Sequence, residues 1–241
     1  LTGLLVDEKF IGIDYRFRTS TDNSGKLYGL TNKGNLYTIN TDTGLASLIT
    51  ALKPATGSTF TNLDGTSFAV DFNPTADRLR VISNNGQNLR INVDTGDTIK
   101  DGDINGIADA KVTAAAYTNS FATPIAMLAT ELFDLDQTGK TLTKQNPPNE
   151  GTLNLIGNLG INLGIDNGFD IAGGDNGLAL ATVAGETGPS VLYRVDLNSD
   201  TTITTPRARL AISVDGTPNL AASTIGANTT PQVIDLAILL K

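Results

Sequence analysis

Hydrophobic and polar residues alternate in short runs along this chain, and turn residues separate the runs about every ten positions. No run of a dozen residues has apolar side chains at i, i+3, i+4 and i+7, the spacing of an amphipathic helix. Sequences such as Asn85-Gly86 and Asp94-Thr95-Gly96 favour tight turns because Asn and Gly accept positive φ at low cost. The pattern therefore predicts an all-β fold made of many short strands.

An internal repeat organises these strands, and its first strand carries a central Asp. The copies are Ile13-Asp14-Tyr15, Val70-Asp71-Phe72, Phe169-Asp170-Ile171 and Ile234-Asp235-Leu236, with Ala115-Ala116-Tyr117 in the same place without its Asp. Neighbouring copies are 45 to 65 residues apart. Further strands are predicted at 26–30, 36–40, 46–52, 78–82, 88–92, 125–129, 132–136, 153–159, 178–182 and 192–196. Four antiparallel strands in a repeat of about 50 residues predict a β-propeller.

The two ends of the chain predict five blades. Four repeats are complete, and a fifth first strand at 233–239 has nothing after it, while a lone strand at 1–6 stands just before the first repeat. We expect these ends to share one closing blade, because closure removes free sheet edges. On this interpretation residues 1–241 form a single propeller domain that lacks upstream strands of the closing blade, and the sequence begins inside a longer protein.

The composition excludes several classes of function. The 241 residues include no Cys and no His, so thiol nucleophiles, zinc-thiolate sites and Ser-His-Asp triads are absent. A net charge of −8, from 17 basic and 25 acidic residues, disfavours binding to nucleic acid. No apolar run reaches the roughly 20 residues that span a bilayer, so we expect no membrane insertion. Nothing in the sequence indicates an organic cofactor.

One loop has the spacing of calcium ligands. Positions 1, 3, 5 and 9 of a calcium-loop template are filled by Asp101, Asp103, Asn105 and Asp109. Ca²⁺ takes six to eight oxygen ligands, and this spacing lets alternate side chains surround one ion. Position 12, where the template has Glu, is Val112. Two interpretations stay open: a bound Ca²⁺, or a hairpin turn that these side chains stabilise by bonding the backbone.

The repeat predicts a second group of carboxylates, on the propeller axis. If the first strands are innermost, four aspartates approach the axis, namely Asp14, Asp71, Asp170 and Asp235. Carboxylates brought together raise one another's pKa, so the group needs a cation, an Arg partner or backbone donors. We weigh a cation in the channel against a structural role, in which each Asp accepts hydrogen bonds from amides of the adjacent turn.

Two further features allow either a binding or a structural interpretation. Four arginines lie on predicted middle strands, and we expect either an anion site or a solvated or salt-bridged face there: Arg78, Arg80, Arg90 and Arg194. The loop at 145–150 contains Pro147 and Pro148, which stiffen it either for contact with a partner or for bracing neighbouring blades.

Long strings of the sequence resemble a bacterial family. FAVDFNPTADRLRVISNNGQNLRINVDTG, VTAAAYTN, KQNPPNEGTLNLIGNLG and LYGLTNKGNLYTINTDTG are similar to segments of secreted or cell-surface domains of unknown function with propeller-like repeats. The similarity covers nearly the whole chain. It implies a propeller that is exported to the periplasm, the cell surface or the medium, and it implies no activity or ligand. It also implies a further pair of strands upstream of Leu1.

These observations favour a binding module over an enzyme. We expect an exported binding or scaffolding module that recognises a protein or glycan partner through its loop faces. One alternative is a hydrolase that processes glycans with a pair of carboxylates, a chemistry that other five-bladed propellers host. Another is a surface protein that Ca²⁺ stabilises and that has no other chemistry.

Overall fold

The computed structural model of this chain describes residues 1–17, 25–120, 129–173, 176–184, 189–200, 202, 204–211, 213–214, 217–225 and 233–239. Nearly all of the regular structure in these ranges is β-strand, and four antiparallel sheets stand around a common axis. The prediction of an all-β, propeller-like fold is therefore confirmed. No helix within the described ranges is long and apolar enough to cross a membrane.

Each of the four sheets is one blade of consecutive strands. The first blade contains β1 (Phe10–Arg16), β2 (Lys26–Thr31), β3 (Asn35–Ile39) and β4 (Ala46–Ala51). The second contains β6 (Phe68–Asn73), β7 (Arg78–Ser83), β8 (Asn88–Ile91) and β9 (Asp97–Lys100), and the preceding β5 (Lys53–Pro54) pairs in parallel with β9. The third contains β10 (Val112–Tyr117), β11 (Leu132–Asp136), β12 (Thr141–Gln145) and β13 (Leu153–Asn158), with a 3-10 turn at Pro148–Glu150.

The fourth blade carries extra elements at its outer side. It contains β14 (Asn167–Ile171), β15 (Ala179–Ala184), β16 (Ser190–Val195) and β17 (Ala208–Leu210). A hairpin of β18 (Ser213–Val214) and β19 (Thr217–Pro218) follows, and then the helix α1 (Leu220–Ser223). The last strand, β20 (Thr224–Ile225), pairs with β16.

The inner strands β1, β6, β10 and β14 are neighbours in this order around the axis. They are covered on both faces, which explains why β10 is a continuous buried run, VTAAAY, rather than an alternating one. Glycine permits the closest approach at the axis. A Cβ added at Gly168 of β14 would lie 2.4 Å from the backbone nitrogen of Leu236.

Apolar side chains fill the space between adjacent blades. The largest cluster joins the third and fourth blades and includes Phe133, Leu142, Phe169 and Val183. A second cluster, which joins the first and second blades, includes Tyr28, Leu36, Phe72 and Leu79. Each blade therefore covers the apolar face of the next, which is how a propeller buries its core.

The prediction of five blades with a closing blade shared by the termini is wrong. The described residues form four blades, and segment 233–239 lies between β14 and β1 without forming a hydrogen-bonded strand. The ring closes through carboxylates instead. Ile13 N–H donates to Asp235 Oδ2 over 2.8 Å, and Ile238 N–H donates to Asp170 Oδ2.

The N-terminal residues pair with the first blade rather than with segment 233–239. Thr2 forms a parallel bridge with Leu45, just before β4. The same geometry recurs at two later places in the chain. There, β5 runs parallel to β9, and Asn105 forms a parallel bridge with Thr152 beside β13. Residues 1–6 therefore occupy the position of a connector between blades.

The third blade also differs from its predicted strand assignment. The strand predicted at 125–129 falls largely outside the described residues. Tyr117 of β10 pairs directly with Leu132 of β11, so 132–136 is the second strand of the blade and not the third. The third strand is β12, which the sequence does not predict because Leu142 is its one apolar side chain.

Candidate functional site

Three of the four predicted axial aspartates meet on the propeller axis. One carboxylate oxygen each of Asp14, Asp71 and Asp170 lies within 4.8 Å of the other two, and all three residues are buried. Within the part of the chain that the structure describes, no other group of three or more acidic side chains comes this close. Hard cations prefer oxygen ligands of this kind.

The aspartates also fasten one blade to the next. Phe72 N–H of the second blade donates to Asp14 Oδ2 over 2.7 Å, and Tyr117 N–H of the third donates to Asp71 Oδ1 over 2.9 Å. The sequence-based expectation placed the donors in the adjacent turn, whereas these amides belong to the neighbouring inner strand. Three of the four axial aspartates also accept a hydrogen bond from the backbone N–H of the next residue. The distances are 2.6 Å for Asp14, 2.6 Å for Asp170 and 2.8 Å for Asp235.

Burial and mutual repulsion oppose ionisation of this cluster. Burial raises the pKa of Asp14 well above its ordinary value, and the charges of Asp170 and Asp235 raise it further. Burial and the charge of Asp14 do the same to the pKa of Asp71. Burial raises the pKa of Asp170 to about 7, against two backbone hydrogen bonds that lower it. The cluster is therefore suited to hold either protons or a cation near neutral pH.

One junction of the ring has no carboxylate. At the position of the missing aspartate β10 has Ala116, which lies in the apolar cluster between the third and fourth blades. Beside it, Asn167 Nδ2 donates to Thr113 Oγ1 over 2.9 Å. Apolar packing and this bond thus replace the carboxylate at the β10–β14 junction.

The first residue of the predicted calcium loop is an ion-pair partner of arginines. Asp101 Oδ2 lies 2.7 Å from Arg80 Nη1 and 2.6 Å from Arg90 Nε. Oδ1 of the same carboxylate accepts a second bond from Arg90 Nη2 over 2.9 Å. Asp101 is therefore bound to two guanidinium groups, and its negative charge is already compensated.

The remaining predicted calcium ligands do not converge on a common point. Asp103 is exposed and pairs with Lys100 Nζ at 3.1 Å. Asn105 Nδ2 donates to the backbone oxygens of Asp103 and Glu150. Asp109 is exposed and adopts a left-handed conformation with φ of 55°. Side-chain to backbone bonds are present in this loop, and calcium binding there stays a prediction.

A cavity opens at one end of the axis, where the inner strands begin. Its volume is about 320 Å³, and we call it the axial mouth. It is lined by the first residues of β1, the residues before and at the start of β6, the residue before β14, and segment 233–239. The polar lining residues are Lys9, Asn32, Thr66, Ser67 and Asp166, and the apolar ones are Phe10, Ile11, Leu63, Phe68 and Ile234.

The axial mouth lies over the aspartates. Phe68, which lines the mouth, lies three positions before Asp71 on the same strand, a distance of about 10 Å along β6. Sequence reasoning did not identify this cavity, since its residues come from five segments that are distant in sequence. The available signal was that four of these segments, all except the one with Asn32, come shortly before a repeated Asp.

Sequence reasoning also missed a buried acid between the second and third blades. Neither carboxylate oxygen of Asp134 has a hydrogen-bond partner among the described residues, and the side chain is fully buried. Burial raises the pKa of Asp134 well above its ordinary value, and the nearby Arg80 charge opposes this only in part. Burial therefore disfavours the ionised form of Asp134.

Comparison with solved structures shows the same fold. A structural genomics protein of unknown function from Bacteroides thetaiotaomicron VPI-5482 aligns with a TM-score of 0.52 and 17% identity, over 90% of this chain and 52% of its own. Auxiliary nutrient binding proteins from B. thetaiotaomicron VPI-5482 and Bacteroides ovatus ATCC 8483 align with TM-scores of 0.42 and 0.39 and identities of 12% and 14%. These two alignments cover 70% and 61% of this chain and 44% and 35% of theirs. The chain thus spans about half or less of the length of each structure.

The family comparison is more specific than the structural one. A search among curated proteins found no match. Residues 1–216 match the family described as Domain of unknown function (DUF4394), which covers all four blades. The resemblance inferred from the sequence strings is therefore confirmed: the chain belongs to the DUF4394 family, an uncharacterised family with propeller-like repeats.

Proposed function

We propose that this chain is a binding module that holds a glycan residue in the axial mouth. The observation that supports this most directly is the cavity itself. Its volume of about 320 Å³ lies at the lower end of the range for small-molecule sites. It combines apolar walls with a few polar groups, and such a lining suits the faces and hydroxyl groups of a sugar ring.

The polar groups of the axial mouth retain capacity to bond a ligand. Lys9 Nζ and the Asp166 carboxylate make no hydrogen bond or ion pair with any described residue, so they supply one positive and one negative group. Asn32 Oδ1 accepts from Lys9 N–H over 2.9 Å, which leaves the Asn32 NH₂ group as a donor. One donor, one cation and one carboxylate around an apolar wall match the mixed hydroxyl chemistry of a saccharide.

The lining of the mouth favours binding over hydrolysis. Glycosidases use two carboxyl groups on opposite sides of the scissile bond, and Asp166 is the one acid among the lining residues that the structure describes. Glu8 lies next to Lys9 in sequence, but it is unsuited to act as an acid. Although burial raises its pKa, hydrogen bonds from Tyr37 and other neighbours outweigh burial and lower the pKa overall. Glycan hydrolysis remains the untested alternative.

A glycan array probed with the whole chain tests the proposal, followed by calorimetry on the best hit. Asp166→Asn should weaken binding about tenfold, the effect of one charge-assisted hydrogen bond. Asp42→Asn, in an exposed turn of the first blade, removes the same charge and should leave affinity unchanged. An array with no hit, or equal affinity for Asp166→Asn and the unmodified chain, would refute the axial mouth as the site. Chromogenic glycosides added in parallel would reveal turnover.

We propose that this binding takes place outside the cytoplasm, on the cell surface, in the periplasm or in the medium. The support is the family resemblance of the sequence strings, which implies export. Fractionation of cells that express the complete natural protein tests this. Recovery in the cytoplasmic fraction would contradict it.

A second candidate function is binding of a divalent cation by the axial aspartates, with Ca²⁺ as the ion. It is favoured by the three buried carboxylates whose oxygens lie within 4.8 Å of one another. Millimolar Ca²⁺ at pH 8 should raise the midpoint of thermal unfolding relative to a chelator, and Asp71→Asn should abolish the rise. Asp103→Asn separates this site from the predicted calcium loop. If Asp103→Asn abolishes the rise and Asp71→Asn does not, the ion belongs to the loop.

A further inference from the structure

We propose that a second binding site, specific for a small oxyanion, lies between the second and third blades. A cavity of about 170 Å³ opens beside the last residues of β6 and β10, at the opposite end of these strands from the axial mouth. Its lining includes three guanidinium groups and a phenol, from Arg78, Arg80, Arg90 and Tyr117. No sugar-binding or catalytic role proposed above uses these residues.

The positive charge of this cavity exceeds its local compensation. Arg80 and Arg90 share the single carboxylate of Asp101, so the three groups together carry one positive charge. Arg78 adds a second charge, and its one hydrogen bond within the described residues is from Nη1 to the neutral backbone oxygen of Asp77 over 2.8 Å. A concentration of positive charge is unusual in a chain whose net charge is −8.

The cavity is rigid because its innermost arginine is fixed on several sides. The Arg80 side chain is 2% exposed, and its Nε donates to Tyr117 Oη over 3.1 Å. Its remaining nitrogens donate to Asn88 Oδ1 and Asn149 Oδ1, both over 2.8 Å. Preorganised donors of this kind lose little entropy when a ligand binds.

The outer arginines keep donors for a ligand. Arg90 uses Nε and Nη2 for Asp101, and its Nη1 group has no partner among the described residues. Its side chain is 30% exposed, which gives solvent access to these N–H groups. Arg78 likewise has Nε and Nη2 to offer, and the Tyr117 hydroxyl can donate its proton while it accepts from Arg80. The residues that carry these groups line one cavity, and guanidinium forks are donors that match carboxylate and phosphate oxygens.

The loop that contains Pro147 and Pro148 completes one wall. Pro148 O accepts from Asn88 Nδ2 over 3.0 Å, and Asn149 O accepts from Gly102 N–H over 3.0 Å. The loop therefore braces the third blade against the second, and the same contacts fix Pro148 and Asn149 in the cavity wall. Bracing and binding, the two roles weighed for this loop, are compatible in this geometry.

The size of the cavity limits the ligand to a small oxyanion or to the anionic end of a larger molecule. About 170 Å³ is less than small-molecule sites usually offer, and the guanidinium forks match carboxylate, phosphate and sulfate groups alike. The probes are therefore glucuronate, inorganic phosphate and sulfate, with neutral glucose as the control for sugar binding without charge.

Calorimetric titration of the whole chain with each probe tests the proposal. We expect saturable millimolar binding of at least one anion and none of glucose, and the anion that binds identifies the ligand class. Arg78→Gln should weaken binding about tenfold. Arg209→Gln, which removes an exposed charge from β17, should leave anion affinity unchanged. Asp166→Asn in the axial mouth should also leave it unchanged.

Several outcomes would overturn the anion site. The first is that no anion saturates binding, and the second is that Arg78→Gln binds with the same affinity as the unmodified chain. The third is that Arg78→Gln and Arg209→Gln lose the same amount of affinity, which would indicate non-specific charge attraction. Arg78→Lys provides a second variant if Arg78→Gln fails to fold. Arg78→Lys keeps the positive charge but loses the forked guanidinium donors. Its affinity for the anion should therefore fall between those of the unmodified chain and Arg78→Gln.

Discussion

The backbone N–H of Ile13 donates a hydrogen bond of 2.8 Å to Oδ2 of Asp235, and it thereby joins two residues that are 222 positions apart. Segment 233–239 forms no ladder with a neighbouring strand among the described residues. This bond fastens it to the first blade, while the bonds from Ile238 N–H to Asp170 and from Val233 N–H to Ser190 Oγ fasten it to the fourth. Closure of the ring therefore depends on individual hydrogen bonds to side chains, and Asp235 and Asp170 supply two of the acceptors.

Asp235→Ala should destabilise the chain by about 1–3 kcal/mol, because Ile13 N–H loses its acceptor in a partly buried place. Urea denaturation measures the difference. Asp42→Ala, in an exposed turn, is the control and should change stability by no more than about 0.5 kcal/mol. Equal stability of Asp235→Ala and the unmodified chain would show that the segment does not close the ring.

Stability should depend on pH through Asp170. Its pKa rises from 3.8 to about 7 on folding, so the folded state takes up a proton. The stability that this proton uptake adds to the folded state is fully present below pH 3.8 and is lost as pH rises through 7. In a chelator, the free energy of unfolding should therefore fall between pH 4 and pH 8. Asp170→Asn should flatten this slope, and an unchanged slope in Asp170→Asn would assign the pH dependence to other groups.

Asp134 should respond to pH in the same direction, for a different reason. Its pKa is raised by burial without any hydrogen-bond partner, so ionisation of this group at high pH opposes folding. Asp134→Asn removes that ionisation. The stability of Asp134→Asn relative to the unmodified chain should thus improve from pH 4 to pH 8 in paired denaturation curves. A constant difference across this range would mean that Asp134 does not titrate there.

Asp101 should be essential to the second blade. Asp101→Ala leaves Arg80 and Arg90 without their carboxylate, and loss of one partner from a buried ion pair costs about 3–5 kcal/mol. Asp103→Ala, two residues on, removes an exposed pair with Lys100 and should cost about 0–1 kcal/mol. Denaturation at one pH compares the two. Similar losses in both variants would contradict the structural role of Asp101.

The repeat was enough to predict the inner strands and the meeting of their aspartates. The Asp stands at the same place in each copy of the first strand, and this common place predicts that Asp14, Asp71 and Asp170 approach the axis together. The strand β12 could not be predicted, because Leu142 alone gives no periodicity. The pairing of Thr2 with Leu45 was also inaccessible, since the choice of ladder partner depends on blades that are distant in sequence.

The ion pairs of Asp101 were not predicted, because the calcium spacing considers one loop by itself. Arg80 and Arg90 face each other across β7 and β8, and two like charges in that position require an acid nearby. Given the hairpin register, this requirement was a usable signal. It would have indicated an ion pair at Asp101.

The ring is not equally sensitive to deprotonation at every junction. The junction between β10 and β14 has Ala116 where others have an aspartate, and it is held by side chains such as Phe133 and Phe169, which do not titrate. As protons leave the aspartates, disassembly should therefore start where segment 233–239 meets β1. The contact between the third and fourth blades should be the last to weaken as pH rises.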